Sequence, residues 1–106
     1  MSGGLLVWCP FPAEEEARRV AGALLDEELV ACANLIGPMT SLFRWEGERQ
    51  ESTEMGVLFK THPRLRADMT ARLAQLHSYT SPAIMIWEAD AFPPATASWL
   101  ADLGGS

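Results

Sequence analysis

What the sequence has little of already removes several classes of protein. No apolar run approaches the about 18 residues that a membrane-spanning helix needs. The opening Met1-Ser2-Gly3-Gly4 carries no basic residue ahead of the first apolar segment, so it does not read as a secretory signal. Two cysteines are too few for a dense disulfide framework, and a reducing cytosol is the expected compartment. Basic charge is scarce: 8 Lys and Arg stand against 14 Asp and Glu, a formal net charge of −6. That balance opposes binding to nucleic acid or to an anionic membrane, both of which favour a basic face. No Gly-x-Gly-x-x-Gly, Walker loop, His-Glu-x-x-His or nucleophile elbow is present.

What is there is ordinary for a globular domain. Of 106 residues, 48% are hydrophobic and 21% charged. One domain spanning residues 1–106 is expected, able to bury roughly two-thirds of its unfolded surface. Acidic residues gather early (Glu14, Glu15, Glu16, Asp26, Glu27, Glu28) and basic ones later (Lys60, Arg64, Arg66, Arg72). Two oppositely charged, solvated helix faces are the simplest account.

Element signals alternate along the chain. Leu5 to Cys9 reads as a buried strand ended by a rigid Pro10-Phe11-Pro12 turn. Ala17, Val20, Ala21, Leu24 and Leu25 then follow the stripe of an amphipathic helix beginning at Ala13, with Glu14–Glu16 in its first turn. Val30 to Glu46 is strand-like and interrupted by Gly37-Pro38, which suggests a bulge. Glu46-Gly47-Glu48 supplies a turn, and Gln50 to Thr61 returns as a second long strand. Pro63 opens a second helix with Leu65, Met69, Leu73 and Leu76 on its apolar face, and His62 beside it reads as a cap or surface residue. A loop from His77 to Pro82, a strand from Ala83 to Trp87 and a short helix from Ala95 to Leu103 complete the chain.

The order βαββαβ plus a terminal helix predicts an α+β, ferredoxin-like fold with an antiparallel sheet and both long helices on one face. The first strand then lies between the third and fourth, and the second lies at an edge. Each hairpin arm exceeds the usual strand length, so the hairpin projects, and its edge invites self-association. Fold alone leaves an acylphosphatase-like hydrolase open. That chemistry needs a phosphate cradle with an arginine after the first strand, and Pro10-Phe11-Pro12 supplies neither glycine nor arginine. The sheet aromatics Trp8 and Phe59 raise RNA stacking as an alternative, which the net charge opposes.

Several stretches closely resemble signatures of the CutA divalent-cation tolerance family. They are Leu29-Val30-Ala31-Cys32-Ala33-Asn34-Leu35-Ile36, Thr40 to Gly47, Glu54 with Lys60-Thr61, His77-Ser78-Tyr79 with Pro82, Ser98-Trp99-Leu100, and Cys9 at the end of the first strand. The resemblance covers nearly the whole chain. It implies a homotrimer assembled like the PII signalling proteins and a link to copper and other divalent cations, with no inherited reaction. The sequence departs from the family pattern at Phe43, at Gly37-Pro38, at Ser78, at Leu76 and at Ala83, each in a block where relatives carry different groups.

Function is therefore expected to be non-catalytic: binding copper, another divalent cation or a small ligand at subunit clefts. In the derived topology Cys9 and the His77 loop lie at the same end of the sheet, and a thiolate with an imidazole suits copper or zinc. Cys9 and His77 are the candidate metal ligands. Trp45, Glu54 and Tyr79 are the candidate ligand-binding residues of the same cleft. Lys60 is expected at the other end of its strand and outside it. Cys32 is expected to pack as a small hydrophobe, too far from Cys9 for a disulfide. The alternative is a PII-like signalling or scaffold trimer that docks through its hairpin.

Overall fold

The computed structural model describes residues 3–104; Met1 and Ser2 of the N-terminal stretch read above lie outside the described residues. Its elements are β1 (Leu5–Phe11), α1 (Glu14–Asp26), β2 (Cys32–Trp45), β3 (Glu48–Thr61), α2 (Arg66–Leu76, entered through a 3-10 turn at Pro63–Leu65), β4 (Met85–Glu88) and α3 (Pro94–Ala101). The strands form one antiparallel sheet in the order β2-β3-β1-β4. This is the ferredoxin-like arrangement the sequence predicts, with β2 at an edge.

β1 alternates buried and half-buried residues along its length, because successive side chains point to opposite sheet faces. Val7, Cys9 and Phe11 join Val57 and Phe59 of β3 on the helix side, where Ala17, Val20 and Leu24 of α1 and Met69 and Leu73 of α2 close the core. Thr61 is buried among them with its hydroxyl donating to the Leu29 carbonyl at 2.7 Å. Arg72 of α2 forks onto Glu27 at the end of α1 at 2.8 and 3.0 Å, so the two charged helix faces meet at one ion pair.

The opposite sheet face is not covered by α1 or α2, which pack on the first. In register across it lie Cys32, Lys60, Leu6 and Trp87 in one row, and Asn34, Leu58, Trp8 and Met85 in the next. Gly56 leaves room there for the Trp8 indole: a Cβ at position 56 would stand 2.1 Å from it.

Three expectations need correction. The Pro10-Phe11 pair does not turn; it continues β1, opposite Gly56 and Met55. β4 pairs β1 only from Leu5 to Trp8, so beyond Trp8 that side of β1 is an open edge, where a residue without N–H is tolerated. Leu25, placed on the buried stripe of α1, is exposed. It lies at the flank of the stripe, about 100° around the helix from the fully buried Leu24. Cys32 is half-buried on the face away from α1 and α2, with its thiol 3.5 Å from the Asn34 side-chain oxygen, rather than in the core.

The hairpin holds. β2 and β3 are each 14 residues long and pair from Cys32–Lys60 to Trp45–Glu48, with a register shift between Ile36 and Met39 at the cis Gly37–Pro38 bond. Glu46 and Gly47 turn the chain with φ of 51° and 79°. Two successive positive values define the tight turn that matches strand twist, and glycine takes the second at no steric cost. The arms project, giving the chain a longest extent of 44 Å.

Candidate functional site

The end of the sheet where β1 stops is built by three segments. β1 delivers Cys9, Pro10 and Phe11; the loop after α2 delivers His77, Ser78 and Tyr79; and β3 delivers Glu54 where the hairpin leaves the sheet. His77 follows α2 directly and its backbone N–H still closes that helix on Leu73. The helix end thus drives the imidazole inward, where its side chain has no solvent exposure.

The His77 ring stacks on Phe11, centroids 4.4 Å apart, and Tyr79 leans on its other side at 4.8 Å. Its Nε2 lies 2.8 Å from the Pro10 carbonyl. A carbonyl has no hydrogen to give, so Nε2 carries the proton. Nδ1 is then the lone-pair nitrogen, and it accepts the Tyr79 backbone N–H at 3.1 Å. Glu16 of α1 completes the clasp: it accepts the Ser78 N–H at 3.0 Å and stands 3.7 Å from Nδ1. Burial pushes the Glu16 carboxyl up, but the hydrogen bonds from Ser78, with the Arg19 charge nearby, outweigh it and hold the group below its usual range.

Tyr79 reaches the hairpin. Its hydroxyl donates to Glu54 Oε2 at 2.9 Å. Burial first, then the Glu54 contact, push the phenol up to about 12, so it remains a donor. Beyond this bond opens a cleft of about 900 Å³ between hairpin residues of β2 and β3 and the 79–83 loop. Trp45, Phe43, Glu54, Tyr79, Pro10 and Ala83 are among its walls.

Trp45, Glu54 and Tyr79 therefore share one cleft. Cys9 and His77 do not line it; they lie behind it, screened by Pro10 and Tyr79. Cys9 is fully buried, and burial, then the Glu54 and Glu16 charges, push its thiol up to about 12. Lys60 lies six residues along β3 from Glu54, opposite Leu6, and outside the cleft as expected. His62 caps the turn before α2, its Nδ1 accepting the Arg64 N–H at 3.1 Å. Sequence reasoning missed Glu16, Phe11 and the Pro10 carbonyl. The Glu14–Glu16 run was visible, but only as a favourable helix start.

The sulfur and nitrogen of Cys9 and His77 suit copper by donor type. Their present bonding does not offer a free lone pair on the imidazole, and among the described residues no group of three or more His, Cys, Asp or Glu is placed to hold a metal ion. The pair fits a cation only after His77 releases a partner and Cys9 its proton.

The profile of the CutA1 divalent ion tolerance protein family matches residues 5–103. The chain belongs to that family. It is 42% identical over 80 residues to the divalent-cation tolerance protein CutA of Thermus thermophilus, covering 76% of this chain and 78% of that one. With CutA of Pyrococcus horikoshii it shares 35% identity over 96 residues, 91% and 93% of the two chains. Among solved structures it superposes on CutA1 from Ehrlichia chaffeensis with a TM-score of 0.89 at 30% identity, covering 96% and 95% of the chains. The Archaeoglobus fulgidus protein, described as periplasmic, gives a TM-score of 0.89 at 30% identity, covering 93% and 96%. CutA proteins are named for divalent-cation tolerance and not for a reaction, and no helix of the described residues is long and apolar enough to cross a membrane.

Proposed function

We propose that this CutA protein is a non-catalytic homotrimer that binds a divalent cation, copper before zinc, or a small polar ligand in clefts at its subunit boundaries. The observation that carries the reading is the convergence at one end of the sheet: a thiol and an imidazole behind a cleft lined by the Tyr79 phenol, the Glu54 carboxylate and Trp45. Cys9 and His77 are the proposed metal ligands, and Trp45, Glu54 and Tyr79 the proposed ligand-binding residues. Copper is preferred because it outcompetes zinc at most nitrogen and sulfur sites. The required release of the His77 bonds makes the expected affinity modest.

Assembly is supported by the sheet face that α1 and α2 leave open, where Met85 is 61% and Trp87 46% exposed, and by the outer edge position of β2. Closed symmetry would cover three such faces and edges at once. Two free thiols support a reducing compartment such as the cytosol.

Light scattering tests the assembly, with three times the 11.6 kDa chain mass expected. Calorimetric copper titration of the wild-type protein, Cys9→Ala and His77→Ala tests the site. Copper binding unchanged in both variants would remove these residues from it. A second reading, a PII-like scaffold docking on another protein, is favoured by exposed Leu42, Phe43 and Trp45 near the hairpin tip.

A further inference from the structure

Beyond the Gly37–Pro38 irregularity, one face of the hairpin belongs to the cleft. Side chains alternate along a strand, so Ser41, Phe43 and Trp45 of β2 share a face with Ser52 and Glu54 of β3, with Ser41 directly opposite Ser52. All five line the cleft of about 900 Å³, together with Tyr79. Two features of its walls point to one ligand chemistry. The first is aromatic: Phe43, Trp45 and Tyr79 surround the space and all three are exposed.

The second is negative charge. Glu54 is half-buried, and its Oε2 accepts the Tyr79 hydroxyl at 2.9 Å, while Oε1 takes no hydrogen bond from the described residues. Its charge helps to push up both the Tyr79 phenol and the Cys9 thiol. Glu46 adds a second carboxylate at the turn. Arg44, the one basic group among the described lining residues, gives its guanidinium to the Gly47 carbonyl at 3.3 Å. An anion entering here meets two carboxylates. A metal ion needs several donors converging on one point, and among the described residues no group of three or more His, Cys, Asp or Glu is so placed. An ammonium group suits both features: aromatic ring faces attract cations, tryptophan most strongly, and a carboxylate oxygen with a free lone pair accepts a strong N–H bond. The space is far larger than an ammonium group, so the cation carries a body that the rings can cover.

We propose that the cleft binds an organic ammonium ion with an aromatic or apolar body, its N–H donating to the Glu54 carboxylate and its body lying against Phe43 and Trp45. The inference rests on the reading of this cleft as a small-ligand site and names the class of ligand. Tyr79 is a positioning residue in it, because its hydroxyl holds the Glu54 carboxylate by one oxygen and leaves the other for the ligand.

The test uses three probes of similar shape and different charge: phenethylamine, protonated at neutral pH, phenethyl alcohol and phenylacetate. Each is titrated calorimetrically into the full-length wild-type protein, Glu54→Gln and Trp45→Leu. Wild type should bind the ammonium about tenfold more tightly than the alcohol, the worth of one hydrogen bond to a charged group, and phenylacetate weakest of the three. Glu54→Gln should lose that preference and still bind the alcohol, which shows that the cleft has kept its shape. Trp45→Leu should weaken the ammonium more than the alcohol. Equal or tighter binding of the alcohol or of phenylacetate by wild type overturns the ammonium assignment and leaves the cleft standing as a small-ligand site. A preference that survives Glu54→Gln overturns it too. Binding of none of the three by wild type at millimolar concentration overturns both the ammonium assignment and the small-ligand reading of the cleft.

Discussion

The two faces of the sheet are made by the same strands and have opposite fates. On the helix side Val7, Cys9, Phe11, Val57 and Phe59 are fully buried by the chain's own α1 and α2. On the other side Leu6, Trp8 and Leu58 are half-buried, and Ile36, Met85 and Trp87 are exposed. Both faces are apolar, so their difference is not one of composition. A chain of this length has helices enough to cover one face. The second face retains apolar surface of the kind that marks contact with another protein. The first face thus reports folding, the second is the one the proposed assembly would cover, and substitutions on each should separate the two.

The largest effect is expected on the helix side. Phe59→Ala empties a fully buried site at the sheet centre and should cost about 3–5 kcal/mol in chemical denaturation. A loss below about 1 kcal/mol would mean that the core tolerates collapse there.

A smaller loss is expected from overpacking the other face. Gly56→Ala forces a methyl against the Trp8 indole and should cost about 1–3 kcal/mol. Trp8 fluorescence should shift as the ring is displaced, and the double variant Trp8→Ala with Gly56→Ala should recover part of the loss.

The comparison sharpens with Trp87→Lys. An exposed position on a short edge strand should change folding stability by only about 0.5 kcal/mol. Its effect belongs to assembly: light scattering should show a mass near one chain. A variant that retains the wild-type mass would place the subunit contact elsewhere.

The smallest effect is expected away from both faces. The Arg72 fork holds the Glu27 carboxyl below its usual range, and Glu27 in turn raises Arg72. A lowered carboxylate stabilises the folded state above its unfolded value, near 4.5, and that contribution fades as pH falls through the lower folded value. Arg72→Gln should remove this acid-limb dependence and leave the denaturation midpoint at pH 7 nearly unchanged, because both groups are solvated.

Much of the fold was legible. The stripe Ala17, Val20, Ala21, Leu24 marked α1 because helical periodicity needs only local spacing, and all four are buried. Glu46-Gly47-Glu48 marked the hairpin turn because a glycine among polar residues between two strand-like runs is a local signal, and the chain reverses at Glu46 and Gly47. Leu25 escaped because periodicity says which stripe is apolar and not how wide a stripe the sheet covers. Pro10 escaped because its place in a strand depends on how far β4 extends along β1.

The candidate site divides in the same way. By itself the sequence determined which chemistry-bearing residues exist and which strand ends they occupy. It also determined, through the blocks around Cys32, Trp45, Glu54 and Tyr79, the family to which the chain belongs. Only the tertiary structure decided what those residues bond to. His77 and Pro10 are 67 positions apart, and the carbonyl that fixes the imidazole is a backbone group that no residue type announces. The same holds for Glu16 and Ser78, joined across 62 positions by a backbone N–H. Spacing along a chain encodes which faces are apolar; where a buried lone pair points is set by packing.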